Sequence, residues 1–241
     1  MVRRRTEADR RPPAPVTFLA IVLTFFLAEI LGSYIIIALA RLVVGPGASV
    51  SREQATLLQL SYGLSSLILL MAAAAALAAA GHFSMLRVMF RWRGWGILAA
   101  GFGGGVLLKL TSDLIASLES NLGHQVTQNN PLVIDPHAFM RPWTVILLFV
   151  GVVGVAPVAE ELFFRGFLFG WVRSRLAFWP AALVAGAAFG LAHRSLTLLF
   201  PLGVAGVGLC WLYERYRTLW PSVVAHATLN VTALVLALYL R

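Results

Sequence analysis

Charge is what this 241-residue sequence has least of: 12% of its residues are Asp, Glu, Lys or Arg, against 59% hydrophobic. A soluble domain carries about 25% charged residues, so a chain this poor in charge reads as a polytopic membrane protein. Lysine is nearly missing, with Lys109 alone, so the formal net charge of +9 is an arginine charge. The arginines stand in short tracts between apolar runs, VRRRTEADRR, LRVMFRWR, WVRSRL and YERYR. They form no continuous basic face, which argues against nucleic-acid binding. Cysteine is reduced to Cys210 in GVGLCWLY, which excludes an intrachain disulfide and any cysteine-based metal cage. With apolar flanks it reads as a small core residue. There is no H-E-x-x-H helix of the zincin type, and no internal repeat is evident. No C-a-a-X box ends the chain, so the protein is not expected to be a prenylated substrate of that kind itself.

What is present is a succession of apolar runs. A span needs roughly 20 apolar residues to cross about 30 Å of hydrocarbon. Residues 16–43 and 56–80 meet that length, 95–118 form a third span containing Lys109 and Asp113, 142–164 a fourth, and 178–193 a shorter fifth. The tail 197–240 is interrupted by YERYR at 213–217 and divides into a sixth and a seventh. The predicted fold is all-α, a polytopic transmembrane helix bundle of about seven spans with an intramembrane polar site. It comprises a basic cytoplasmic leader, 1–15, and a single transmembrane domain, 16–241. The first apolar run is longer than the about 7–15 residues of a secretory h-region, which predicts an uncleaved anchor, although Ala38-Leu39-Ala40 imitates a cleavage site. The long polar loop is 121–141, with prolines near its end. MAAAAALAAAG, 71–81, reads as a thin helix that allows close packing. The leader, the 82–93 loop and the turns at 172–177 and 214–217 carry the arginines, and seven spans place all four on one side. That predicts a cytoplasmic N-terminus and an outside C-terminus, in the plasma membrane of a bacterium.

An ionisable side chain inside a span costs about 2.5–3.5 kcal/mol on insertion scales, so each is a functional candidate unless a neighbour neutralises it. Lys109 and Asp113 are four apart on one face and can neutralise each other. Glu29, alone in FFLAEILGS, is expected to bond a neighbouring helix, and His82, His124 and His137 lie in loops. The stretch APVAEELFFRGFLF, 156–169, is harder to explain that way. Glu161 and Arg165 are four apart with the carboxylate first, which predicts an intrahelical ion pair. Glu160 points about 100° away round an α-helix and has no such local partner. It needs a polar cavity, and a carboxylate held beside trapped water is what a general base requires. FGLAH places Phe189 and His193 on one helical face, and HATLN does the same for His226 and Asn230. One histidine in a helix is usually a satisfied core residue. Two histidines, an asparagine and a glutamate converging from three spans would make a wet polar site.

Depth provides a check on that convergence. If the fourth and fifth helices form a hairpin turning near Ala177, Glu161 and His193 both lie sixteen residues from the turn. The fourth helix must then continue to about Leu176. His226 is nine residues from the turn at Arg217, hence about 10 Å shallower at 1.5 Å per residue. Tilt, or a short interfacial helix at 172–178, would close the gap.

These residues resemble the CPBP family of intramembrane proteases, which contains the type II CAAX prenyl endopeptidases and bacterial Abi proteins. The family pattern is Glu-Glu-x-x-x-Arg, then Phe-x-x-x-His, then His-x-x-x-Asn. It corresponds here to Glu160-Glu161-Leu-Phe-Phe-Arg165, Phe189-Gly-Leu-Ala-His193 and His226-Ala-Thr-Leu-Asn230, in order, within about 150–235. The resemblance implies an all-helical membrane endopeptidase that cuts near the cytoplasmic face. It implies that Glu160 with His193 activates a water, while His226 and Asn230 stabilise the oxyanion or hold the water. Glu161 and Arg165 would form the supporting pair, with Phe189 also supporting the site. Amide hydrolysis needs those parts, a base for water and donors aimed at the developing oxyanion.

Metalloprotease is the family's usual label, and the residues a divalent metal such as zinc would take are His193, His226, Glu160 and Asn230. An asparagine oxygen is an uncommon zinc ligand, and a metal-free glutamate mechanism, the reading preferred here, uses the same residues. The implied partners are the lipid bilayer and a peptide or protein substrate at the membrane, lipidated or not, with no nucleic acid. Oligomeric state is left open. A prenylated C-a-a-X tail is the family's best-known substrate, but no residue identifiable here reads a lipid. One rival reading is a catalytically silent scaffold or immunity factor, which has no use for a free Glu160. Another is a proton-coupled transporter with a Glu160, His193 and Asp113 relay, which predicts inverted repeats or broken helices not found here.

Overall fold

The computed structural model describes residues 89–123, 149–193 and 195–239, together with 15, 16, 18–20, 22, 23, 27 and 146, and among the described residues five helical rods follow one another from Gly96 onward. The first, α1, is Gly96–Asn121. The second rod, α2, is continuous but changes its winding. A π-helical segment Val150–Val155 leads into an α-helical turn Ala156–Glu161, a second π-helical segment Leu162–Phe169 and a last α-turn Gly170–Arg173. Then come α3, Phe178–Ala192, α4, Leu196–Tyr216, and α5, Trp220–Tyr239. No strand occurs among the described residues.

These rods stand at the predicted third to seventh spans. The fourth helix continues beyond Arg165, as the depth argument required, and stops at Arg173. The leader apart from Pro15, the 56–80 span, MAAAAALAAAG, Glu29, His82, His124 and His137 lie outside the described residues, as does most of the 16–43 span and of the 121–141 loop. Among the described residues, α1 and α4 are long and apolar enough to cross a membrane, while α3 and α5 have shorter apolar lengths. Only 22% and 33% of the apolar windows of α1 and α4 are buried. The core helix of a soluble protein would be mostly buried, and these two are not. Leu107, Leu110, Leu114 and Leu118 on α1 are exposed in this way. The chain is an integral membrane protein.

Small residues let the rods approach. A Cβ added at Gly206 on α4 would lie 2.8 Å from the Cα of Gly186 on α3, a distance real side chains do not reach. A Cβ at Gly105 on α1 would lie 2.6 Å from the Ala225 carbonyl of α5. Lipid tails are as apolar as leucine, so such backbone-to-backbone packing is a main source of cohesion between membrane helices.

Chain reversals are marked locally. Arg217 closes α4 in the left-handed conformation (φ 53°), a common way to end a helix, and Pro221 sits in the first turn of α5, where its missing N–H costs nothing. The same end of the bundle gathers the described arginine tracts. Arg173 Nη2 donates to Glu214 Oε1 at 3.2 Å, and Arg217 Nη2 donates to the same oxygen at 3.0 Å. Thr218 Oγ1 and the Leu219 amide both donate to the Met89 carbonyl, at 3.0 and 2.7 Å. Trp220 Nε1 donates to the Phe90 carbonyl at 3.0 Å.

Candidate active site

The second π-helical segment of α2 supplies most of the packing around the site. A π-helix bonds i→i+5 and usually appears as a single wide turn at functional positions. Here it runs from Leu162 to Phe169, and all its residues except Leu168 are buried. The phenylalanines that surround the charges in sequence therefore pack the helix and do not face lipid. Phe163 and Phe164 meet edge to face at 5.0 Å, and Phe164 meets Phe189 of α3 at 5.2 Å. Phe169 lies against Phe178 and Tyr213.

Glu161 and Arg165 are both fully buried, and Arg165 Nη1 donates to Glu161 Oε1 at 2.7 Å. The predicted pair is formed. Arg165 Nη2 also donates to the Gly206 carbonyl at 3.3 Å, and the guanidinium lies 4.4 Å from the Phe189 ring centroid. A desolvated cation over an aromatic ring is stabilised by about 2 kcal/mol. The same Glu161 oxygen takes a second bond, from His226 Nδ1 at 2.9 Å. Glu161 is thus more than Arg165's counter-ion, because it also anchors a histidine from the last helix.

Glu160 shares with Glu161 one buried oxygen without a hydrogen-bond partner, Oε2 in each, but it lacks the pairing with Arg165 and is less buried. Its side chain is 26% exposed, and its Oε2 atom is buried without a hydrogen-bond partner in the protein. That oxygen lies 3.9 Å from His226 Nε2. The 3% exposed His226 ring is therefore held between the two adjacent carboxylates, bonded to one and facing the other.

The depth difference for His226 disappears for a specific reason. Leu219 and Val223 pack with Met89 and Leu162 in one buried cluster. The turn before α5 is drawn inward, tied to the Met89 carbonyl, so α5 starts near the level of Leu162, the neighbour of Glu161.

His193 follows the last residue of α3. Its Nδ1 is 2.9 Å from the Phe189 carbonyl, and its ring stands edge to face with Phe189 at 4.9 Å. Phe189 also meets the His226 ring, at 5.4 Å. The structure thus gathers Glu160, Glu161, Arg165, Phe189, His193 and His226 around the contact of α2, α3 and α5. Asn230 lies one turn beyond His226 and donates from Nδ2 to the Val152 carbonyl at 2.8 Å, in the first π-helical segment. Lys109 and Asp113 are bonded to each other on α1, as predicted.

For a metal, the donor set falls short. Catalytic zinc takes three protein ligands, and among the described residues no group of three His, Cys, Asp or Glu side chains is arranged to hold an ion. Glu160 Oε2 and His226 Nε2 are a facing pair, two donors where three are needed. Among the described residues the arrangement does not fit a three-ligand site.

Residues 142–232 match the family model of type II CAAX prenyl endopeptidases, Rce1-like. Over 84 residues the chain is 30% identical to "Putative membrane peptidase YdiL" of Bacillus subtilis (strain 168), covering 35% of this chain and 34% of that protein. Over 78 residues it is 26% identical to "UPF0177 protein YxdF" of Lactococcus lactis subsp. lactis (strain IL1403), covering 32% of this chain and 42% of that one. The chain thus matches these relatives over about a third and two fifths of their length. No solved structure matches. The matched segment contains all three motifs, and over it the chain is similar to the Rce1-like endopeptidases, in agreement with the CPBP resemblance.

Three features of the site escaped the sequence reading. The Glu161–His226 bond joins residues 65 positions apart, and no spacing rule reaches that far. The π-helical winding has no composition signal. The use of one Phe189 by both histidines could have been approached from the sequence, since Phe189 and His193 are one turn apart, but the partner on α5 could not.

Proposed function

We propose that this protein is an intramembrane endopeptidase that hydrolyses a peptide bond of a membrane-associated substrate with a water activated by Glu160. The observation that carries this reading is the contrast between the two carboxylates. Each keeps one oxygen without a hydrogen-bond partner, but Glu161 is fully buried, neutralised by Arg165 and bonded to His226, whereas the Glu160 side chain is partly exposed, so that water can reach it, and its free oxygen faces His226 Nε2. A desolvated carboxylate with an unused acceptor is a place for a polarised water, and positioned acid–base groups contribute about 10²–10⁴-fold to rate.

In this reading Glu160, assisted by His193, takes a proton from the attacking water, and the oxygen adds to the scissile carbonyl. His226, whose hydrogen is on Nδ1, accepts from the water through Nε2 and holds it, and the negative charge that develops on the carbonyl oxygen is met by the second N–H of Asn230. Glu160 then returns its proton to the departing amine as the C–N bond breaks. Arg165 and Glu161 stay outside the proton traffic and hold the frame. Phe189 packs between the histidines. The substrate is a peptide or protein segment at the membrane, lipidated or not, and a prenylated tail is the first candidate because of the family match.

The test is cleavage of a membrane-anchored peptide library by the full chain purified in detergent, with Glu160→Gln and Glu161→Gln alongside and bound metal quantified. Glu160→Gln is expected to lower kcat at least a hundredfold, with the fold intact. A wild type that cleaves nothing, or a Glu160→Gln variant that cleaves as fast as wild type, defeats the proposal.

A further inference from the structure

The partners of the two histidines are acceptors only, and this fixes more than their position. A backbone carbonyl and an ionised carboxylate have no proton to give. His193 Nδ1 must therefore donate to the Phe189 carbonyl and His226 Nδ1 to Glu161. Both rings carry hydrogen on Nδ1 and turn Nε2 outward from those anchors. For His226 that outward nitrogen is the one facing Glu160. The partner of one ring nitrogen sets the chemistry of the other.

One side chain is common to both rings. Phe189 stands edge to face with His193 at 4.9 Å and with His226 at 5.4 Å, while its own main chain accepts from His193. It also meets the Arg165 guanidinium at 4.4 Å and Phe164 at 5.2 Å, within a buried cluster that includes Phe163. The ring is 1% exposed, so neither histidine can swing towards it. An imidazole can flip about its bond to Cβ and exchange Nδ1 for carbon at the anchor, and a flat aromatic neighbour of fixed orientation opposes that flip. Glu161 alone holds His226 at a point, and the carbonyl alone holds His193 at a point. The shared ring supplies the second constraint for each.

We propose that Phe189 is the positioning residue of the site, a common stop that keeps His193 and His226 in the Nδ1–H form with both Nε2 atoms available for chemistry. For its effect on rate this rests on the endopeptidase reading. For its effect on the rings it does not. Misplacement of a catalytic group by about 1 Å costs roughly 10²-fold in rate, which sets the scale of the expected loss.

The experiment uses the full chain in detergent with histidine labelled in its ring nitrogens. The signals of His193 and His226 are assigned among the 5 histidines by single Asn substitutions. Phe189→Leu removes the ring and keeps the carbonyl, and Phe189→Met, unbranched and closer in volume, is the second variant. Phe169→Leu is the control, an equally buried phenylalanine whose ring contacts are Phe178 and Tyr213. Wild type and Phe169→Leu are expected to show both rings as Nδ1–H. Phe189→Leu and Phe189→Met are expected to show mixed tautomers for at least one ring, with kcat down about a hundredfold at unchanged KM. Wild-type ring signals in both Phe189 variants overturn the proposal. So does loss of the Nδ1–H form in Phe169→Leu to the same extent, because that would be general loosening. If wild type cleaves no peptide, the endopeptidase reading falls and the ring signals still decide the role of Phe189.

Discussion

Arg165→Met is the most informative single perturbation of this fold. The guanidinium makes one hydrogen bond to Glu161 at 2.7 Å, one to the Gly206 carbonyl at 3.3 Å and a ring contact with Phe189 at 4.4 Å. Both members of the pair are fully buried, so their attraction is not screened by solvent. Methionine fills much of the same space without the charge, which leaves Glu161 as a buried carboxylate with His226 as its remaining partner. Breaking one side of a buried ion pair costs about 3–5 kcal/mol. At 1.36 kcal/mol for each tenfold change, the folded-to-unfolded ratio falls by roughly two to nearly four powers of ten. Adding Glu161→Gln to Arg165→Met removes the orphaned charge, while the amide oxygen can still accept from His226 Nδ1. Replacing both members of such a pair is often close to neutral, so the double variant is expected to recover more than half of the loss. The assay is reversible unfolding in detergent followed by tryptophan fluorescence, analysed as a double-mutant cycle. A loss of less than about 1 kcal/mol in Arg165→Met, typical of an exposed pair, would refute the reasoning. So would a double variant less stable than either single one.

The remaining predictions test packing, the rival reading and the metal. Gly206→Val forces a side chain against Gly186 Cα, where even a Cβ would sit at 2.8 Å, and overpacking of this kind costs about 1–3 kcal/mol. Gly103→Ala on α1 meets nothing within 4 Å and is expected to raise the unfolding temperature slightly, since alanine is favoured over glycine in a helix by about 0.5–1 kcal/mol. Asp113→Asn breaks the bond with Lys109, whose partner carboxylate is 55% exposed, and should leave peptide cleavage unchanged within twofold or so, as a weak exposed pair allows; a proton relay through Asp113 predicts its loss instead. A chelator at millimolar concentration is expected to leave cleavage intact, as checked by initial rates before and after dialysis. Stoichiometric zinc that disappears in His193→Ala would reverse that expectation.

Much of the site was legible because its signals are local. Glu161 and Arg165, Phe189 and His193, and Lys109 and Asp113 are each four residues apart, and helical periodicity alone places such pairs together. The same rule separated Glu160 from Glu161, and in the structure Arg165 pairs with Glu161 while Glu160 is the partly exposed one. Where the rule assumed one winding it lost detail, because α2 passes through two π-helical segments and 3.6 residues per turn do not describe them. Depth estimated by counting residues from a turn missed the position of His226, since a turn can be drawn into the bundle by bonds such as those of Thr218 and Leu219 to Met89. Composition does not assign the phenylalanines of α2 to lipid or core, for a simpler reason. In a bilayer both environments are apolar, so hydrophobicity does not distinguish them.

The order of these groups along the chain bears on how the protein is made. Glu161 and Arg165 leave the ribosome four residues apart, so α2 can carry its own neutral pair into the bilayer as soon as it is helical. Glu160 is then the carboxylate in that helix whose insertion is unassisted, at about 2.5–3.5 kcal/mol on insertion scales. Its counterpart is His226, synthesised 66 residues later, counting from 160 to 226, on the last described helix. Until α5 docks, Glu160 lacks the histidine that faces it in the finished protein. Arrival of α5 closes the bundle and assembles the site in the same event.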